Sequence, residues 1–300
     1  MPIGADVSAQ YTEEAVGGGH PTKARVVDRL ALAEHHVDGK HKADLLPLDS
    51  DGRLVRTSAT VLTFERFKGS RHPQIDGSGN LYYLAIPSGG ATLGTGGLSA
   101  STVYYVYGYD SAGVLTLEAS ATGYTKHASG LRHKTGDATR TLIGLIRTDG
   151  SAQFVNSDTQ RFARSWFNGP SKALFRDFNS GSGISTASAT AVELSSSNRL
   201  EFLVWAGERV TATACMSVTN DDATGSAVME LGLDGASAIA GSLGRQDQHA
   251  TAGEYVSIVS RAVQEPAEGY HYFTVLGRVI TAGNGTFAGE LFSIEFSGRA

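Results

Sequence analysis

The chain has 300 residues, 41% of them apolar, with 37 glycines against seven prolines and a formal charge of −5; this excludes a disordered chain, a collagen-like repeat and a bundle of long helices. Charge density is low and no basic stripe is present, so broad attraction to nucleic acid or an anionic membrane is not expected, and no apolar run reaches membrane-spanning length. The single cysteine, Cys215, excludes an intrachain disulfide and reads as a small buried side chain.

Residues 1–20 lack periodicity and end in Gly17-Gly-Gly-His20-Pro21, an extended arm. They carry no basic stretch leading into an apolar one, so export by a cleaved leader is not expected. Residues 22–36 (TKARVVDRLALAEHH) predict a helix capped by Thr22 and stopped near Gly39. Val26, Leu30, Ala33 and Val37 follow a four, three, four spacing, the seam of a coiled coil. A helix of about four turns is marginal alone, so it packs either on its own β domain or side by side with copies of itself about a symmetry axis. The turn after it holds His35, His36, Asp38 and His41. His36, Asp38 and His41 are the metal candidates, but one short turn supplies too few converging ligands, and no metal or other cofactor is assigned.

Residues 43–60 read as a connector with a strand near 53–56, followed by strands at 61–67 and 81–86, with a loop over 69–79 between them. The glycine-rich stretch after Pro87 lacks the Gly-Lys-Ser/Thr ending of a phosphate loop. The centre of the chain predicts a small antiparallel module. A strand at 101–110 turns at Asp110-Ser-Ala-Gly113 into a second at 114–118, and 141–147 with 152–156 repeats the arrangement. In the first strand Tyr105, Tyr107 and Tyr109 share one parity and Tyr104 and Val106 the other, so both faces are expected to be covered. Trp166 and Phe167 read as packing at a junction, and Asn168-Gly-Pro170 as a domain boundary. Beyond it, strands are predicted at 191–194, 200–205, 209–218, 227–233, 255–262, 269–280 and 287–296, enough for a two-sheet sandwich with a jelly roll as its leading form.

The fold class is therefore expected to be mainly β. The expected domains are an N-terminal arm and short helix (1–42), an antiparallel β shoulder (43–169) and a jelly-roll-like sandwich (170–300), the first the candidate for particle attachment and the last for host binding under the resemblance given below. No catalytic set stands out. The acids of the last domain lie in turns, and neither a Gly-x-Ser-x-Gly elbow nor a His-Glu-x-x-His pair is present. Asp76-Gly-Ser-Gly-Asn80 and Asn220-Asp-Asp222 carry calcium-type oxygens without the twelve-residue cadence of an EF-hand. Tyr107, Tyr109, Trp205, Tyr270 and Tyr272 have the amphipathic faces that sugars stack on and equally suit a core, so no ligand-binding residue is assigned.

Leu98-Ser-Ala-Ser-Thr-Val-Tyr-Tyr-Val-Tyr-Gly-Tyr, Lys134-Thr-Gly-Asp137, Gly144-Leu-Ile-Arg-Thr148 and Ser165-Trp-Phe-Asn168, with the His36-Val-Asp-Gly-Lys-His-Lys-Ala43 turn, resemble fibre, spike and collar proteins of tailed bacteriophages and phage-like particles over residues 20–168. The resemblance implies a homotrimeric, non-enzymatic virion spike, assembled in the host cytoplasm. It would be anchored to a portal, neck, capsid or baseplate protein by its N-terminal region and bind a host surface polysaccharide with its C-terminal domain, without nucleic acid or membrane insertion. The alternatives are a decoration protein that cements neighbouring subunits and a surface-polysaccharide depolymerase.

Overall fold

A computed structural model describes residues 48–170, 172–177, 183–247 and 252–297. The predicted arm and helix, the seam of Val26, Leu30, Ala33 and Val37, and the metal candidates His36, Asp38 and His41 lie outside the described residues. Among the described residues the chain is all β, with only one short 3-10 turn at Ser196–Asn198.

The first half runs through β1 (Gly52–Arg56), β2 (Val61–Arg66), β3 (Arg71–Ile75), β4 (Leu81–Ala85), β5 (Ala91–Gly94), β6 (Val103–Ser111), β7 (Val114–Ser120), β8 (Tyr124–Lys126), β9 (Arg132–Lys134), β10 (Asp137–Arg147), β11 (Gln160–Arg161) and β12 (Ala163–Ser165). They build a three-stranded sheet ordered β1-β2-β5, a two-stranded β3-β4 ribbon and a larger sheet ordered β7-β6-β10-β9-β8, with β12 added to β10. The β6–β7 turn is Ala112-Gly113, both at positive φ (53° and 85°), the primed geometry that follows strand twist. The Asp110 carboxylate accepts the Gly113 N–H at 2.6 Å and closes it.

Both faces of β6 are covered. Tyr104 and Val106 enter one core with Leu54, Leu62, Phe64 and Ile146, while Tyr105 and Tyr107 enter another with Leu142, Leu145, Leu203 and Trp205. In β10 a register shift between Leu142 and Gly144 moves the pattern by one residue, so Leu142 and Leu145, three apart, share a face.

The second half runs through β13 (Leu174–Arg176), β14 (Ile184–Thr186), β15 (Val192–Glu193), β16 (Leu200–Val204), β17 (Arg209–Asn220), β18 (Ser226–Leu233), β19 (Gly244–Gln246), β20 (Val256–Gln264), β21 (Gly269–Ile280) and β22 (Gly285–Ser297). Two sheets form, ordered β11-β16-β21-β18-β19 and β13-β22-β17-β20. β17 shows the cause: Val210, Ala212, Ala214, Met216 and Val218 are fully buried, and the residues between them from Thr211 to Ser217 are half-buried, the period of two that gives a strand one core face. These side chains meet Phe202, Met229, Leu231, Phe273 and Val275 of the other sheet in one core.

The expected fold class is corrected in two respects. The described residues are all β, without a helical part, and the jelly-roll-like closed sandwich is replaced by open sheets, none of which closes on itself. The edge strands β19 and β20 lie side by side without a ladder. They are joined instead where the Ser260 hydroxyl donates to the Ser242 carbonyl, and any Cβ at Gly244 would come within 2.9 Å of the Val259 carbonyl.

Smaller differences have local causes. The loop expected over 69–79 contains β3, hidden by Pro73, which the two-stranded ribbon tolerates because one side of each strand is an edge. The strand expected at 152–156 is two isolated bridges, Thr148 to Phe154 and Asn156 to Arg161. There the Asp149 carboxylate accepts the Ser151 and Gln153 N–H groups, both at 2.8 Å, and holds a turn. Cys215 is half-buried rather than in the core, because its parity in β17 is that of Thr213 and Ser217, facing outward.

Candidate functional site

The two halves meet on a polar and aromatic junction. Glu268, just before β21, accepts the Tyr105 hydroxyl at 2.7 Å, the Tyr124 hydroxyl at 2.8 Å and the Ala206 N–H at 3.2 Å. Burial, then the hydrogen bond to this carboxylate, pushes the Tyr105 phenol up and the Tyr124 phenol up to about 12, so both stay protonated donors. Trp166 stands edge-on to Trp205 at 4.8 Å with the Arg132 guanidinium 4.2 Å above its ring, so Trp166 packs at the junction as expected, whereas Phe167 packs within the first half with Ile75, Leu81 and Leu131.

Beside these rings, β12 places Arg164 and the turn before β17 places Glu208 in a buried bidentate pair. Arg164 donates to the two carboxylate oxygens at 2.9 and 2.7 Å and to the Leu203 carbonyl at 2.8 Å. Glu208 also accepts the Trp205 N–H. Arg161 of β11, 5% exposed, donates to the Pro170 and Lys172 carbonyls at 2.7 and 3.1 Å and lies 4.5 Å over the Phe296 ring. Burial, and then the neighbouring Arg164 cation, push its guanidinium down to about 9, still protonated at neutral pH. A cavity of about 630 Å³ is lined by Arg161, Arg164, Trp166, Asn168, Glu208 and Phe296, with Asp49 and Lys68 among the other wall residues.

The aromatic sugar-stacking candidates are otherwise engaged. Tyr107 and Trp205 are buried. Tyr109, Tyr270 and Tyr272 are capped by Arg140, Arg147 and Arg199 at 4.0, 3.9 and 4.1 Å. The calcium-type turns use their oxygens internally: Asp76 accepts Ser78 and Asn80 N–H groups, Asp221 accepts from Asn284 and Asp222 from Thr224. Among the described residues no three His, Cys, Asp or Glu side chains converge for a metal ion. The sequence reading missed Arg161, Arg164 and Glu208. The only signal was a pair of arginines three apart in an aromatic run at the domain boundary, and the carboxylate that pairs with Arg164 lies 44 residues further on.

A second feature is the outer face of the β13-β22-β17-β20 sheet. Cys215 pairs in register with Val259 on one side and Leu291 on the other, making a row across three strands. Val259, Leu291, Val263 and Phe175 are 59, 45, 47 and 50% exposed. The exposed Arg261 stands in the next register row, and the exposed Glu295 in the row beyond it, level with Val263.

No protein-family model matches this chain, and no curated protein matches it. Among solved structures, that of infectious bursal disease virus Gx strain is similar at 10% identity over 83% of this chain and 71% of that one, with a TM-score of 0.32. The infectious bursal disease virus VP2 subviral particle is similar at 10% identity over 81% and 69%, TM-score 0.30. A glycoside hydrolase family 43 arabinoxylan arabinofuranohydrolase from Bacillus subtilis is similar at 14% identity over 85% and 55%, TM-score 0.24. At these scores the likeness carries no functional argument. The resemblance to tailed-phage fibre, spike and collar proteins is corrected: no family model bears it out, and the viral structures found belong to a capsid protein of a non-tailed icosahedral virus. The phage tail-fibre and coiled-coil descriptions fall with it.

Proposed function

We propose that this chain is a non-enzymatic structural subunit of a viral particle that associates with further copies of itself through the outer face of the β13-β22-β17-β20 sheet. The observation that carries this reading is the row of exposed Val259, half-buried Cys215 and exposed Leu291, with exposed Phe175 on the same sheet and exposed Val263 beyond Arg261 on β20. Aliphatic side chains in contiguous register on a strand surface are costly to leave in water, and contiguous exposed apolar surface marks an interaction site. A second copy is the occupant because the face carries both signs of charge: Arg261 and Glu295 stand two strands apart on it, so a facing copy turned end for end offers each its opposite.

Within that role, cementing of neighbouring subunits suits the face better than binding of a host glycan. The row is aliphatic, whereas sugar recognition rests on aromatic platforms with hydrogen-bond donors at their rims, and Phe175 is the one exposed ring there. Glycan-array binding by the full chain would reverse that preference, and shortening of a host polysaccharide in its presence would replace it with a depolymerase. Light scattering of the full chain at micromolar concentration tests the proposal itself. A dimer is expected for the wild type and a monomer for Val259→Asp combined with Leu291→Asp; a monomeric wild type overturns it.

A further inference from the structure

We propose that the cavity at the junction of the two halves binds a small carboxylate-bearing molecule, its carboxylate on the Arg161 guanidinium. Charge accounting around the cavity leads there. Three cations, Arg161, Arg164 and Lys68, face two carboxylates, Asp49 and Glu208. Glu208 is held by both terminal nitrogens of Arg164, and Asp49 lies 3.6 Å from Lys68. Among the described residues no carboxylate lies within ion-pair distance of Arg161, although it is 95% buried by the same measure that leaves it 5% exposed.

Packing alone does not call for that charge. A methionine fills a similar volume on the Phe296 ring without the desolvation cost of a buried cation that shares the single carboxylate of Glu208 with Arg164. Two of the five guanidinium N–H donors go to the Pro170 and Lys172 carbonyls, which leaves donors for an anion. Among the described residues the imbalance is one charge, so a monoanion closes it, whereas a phosphate monoester carries about −1.5 to −2 at neutral pH and overshoots. Arg164 shows the geometry that the same wall offers a carboxylate: two parallel N–H···O bonds at 2.9 and 2.7 Å. The volume, about 630 Å³, lies within the ~300–1,000 Å³ of small-ligand pockets. The site is independent of self-association through the outer sheet face.

The probe is D-glucuronate, titrated into the full chain and followed by calorimetry and by the fluorescence of Trp166 and Trp205, the chain's two tryptophans. Saturable binding that weakens with salt is expected, and none for glucose, which has the same ring without the carboxylate. Arg161→Met is expected to weaken binding roughly 10- to 100-fold, the loss of one charge-assisted contact. Arg161→Lys is expected to retain part of it. Gly150→Ala, outside the cavity and with nothing within 4 Å of the added Cβ, is expected to bind as the wild type does. Absence of glucuronate binding to the wild type, equal binding of glucose, unchanged affinity in Arg161→Met or Arg161→Lys, or tighter binding of inorganic phosphate would each overturn the assignment. If Arg161→Met does not fold, the wild-type comparison of glucuronate with glucose and the lysine variant still decide it.

Discussion

His72, in the third strand, is fully buried, with Nδ1 3.0 Å from the Ser50 hydroxyl, Nε2 2.9 Å from the Thr141 hydroxyl and the rings of Phe64 and Phe167 edge-on around it. Desolvation pushes its imidazole from 6.5 down to about 3. The native state therefore holds it neutral while the unfolded chain takes up a proton below pH 6.5, so the unfolded state binds more protons in the window from 6.5 to about 3. Stability rises with pH there: the full contribution is present above 6.5 and is lost as pH falls, up to about 5 kcal/mol across the window. Denaturant titrations of wild type and His72→Gln at pH 7, 5 and 4 check this, with a flatter profile expected for the variant. The Arg164–Glu208 pair is the second residue-scale test. Both side chains are under a tenth exposed, and Glu208→Ala leaves a buried guanidinium uncompensated, with an expected loss of about 3–5 kcal/mol in the same titration. Neither feature was legible in the chain. His72 stands in a stretch read as loop, and the Arg164 partner is set by the approach of a turn from the other half.

At the scale of elements, period-two patterning and turn chemistry located most strands of the second half to within a few residues, and β21 over its whole length. What escaped were short strands whose pairing is supplied from elsewhere. β8 and β9 have three residues each and extend the central sheet beyond β10, and β11 has two residues and pairs in parallel with β16. Such segments carry too few side chains for a period to show, and the ladder of the neighbour defines them. The register shift in β10 is similar. Gly144 stands there because a Cβ would lie 2.6 Å from both the Arg164 carbonyl and a Leu54 methyl. Gly144→Ala is expected to cost about 1–3 kcal/mol by overpacking, read as a lowered melting temperature in scanning calorimetry, with Gly150→Ala, which meets nothing within 4 Å, as the silent control.

For the whole molecule the question is what holds the halves together. The central tyrosine strand, expected from its sequence to be covered on both faces, is covered within the chain: Tyr105 and Tyr124 both donate to Glu268, and Tyr107 packs with Leu203 and Trp205. Glu268→Ala removes the shared acceptor and leaves two half-buried phenols unpartnered, at about 1–3 kcal/mol each. We expect its calorimetric transition to split into two, and a single transition at the wild-type temperature would count against the junction. The chain's own residues determined that it is a strand-rich, low-charge protein with one face of each long strand buried and with turns where Gly, Asp and Asn stand, because these depend on side-chain period and local backbone preference. Only the tertiary structure decided that the sheets stay open, that Cys215 and Val259 face outward, and that Arg161 is buried beside a pair that already satisfies Arg164. Those depend on which strand edges and which distant carboxylates arrive at one place, and chain separation carries no record of that.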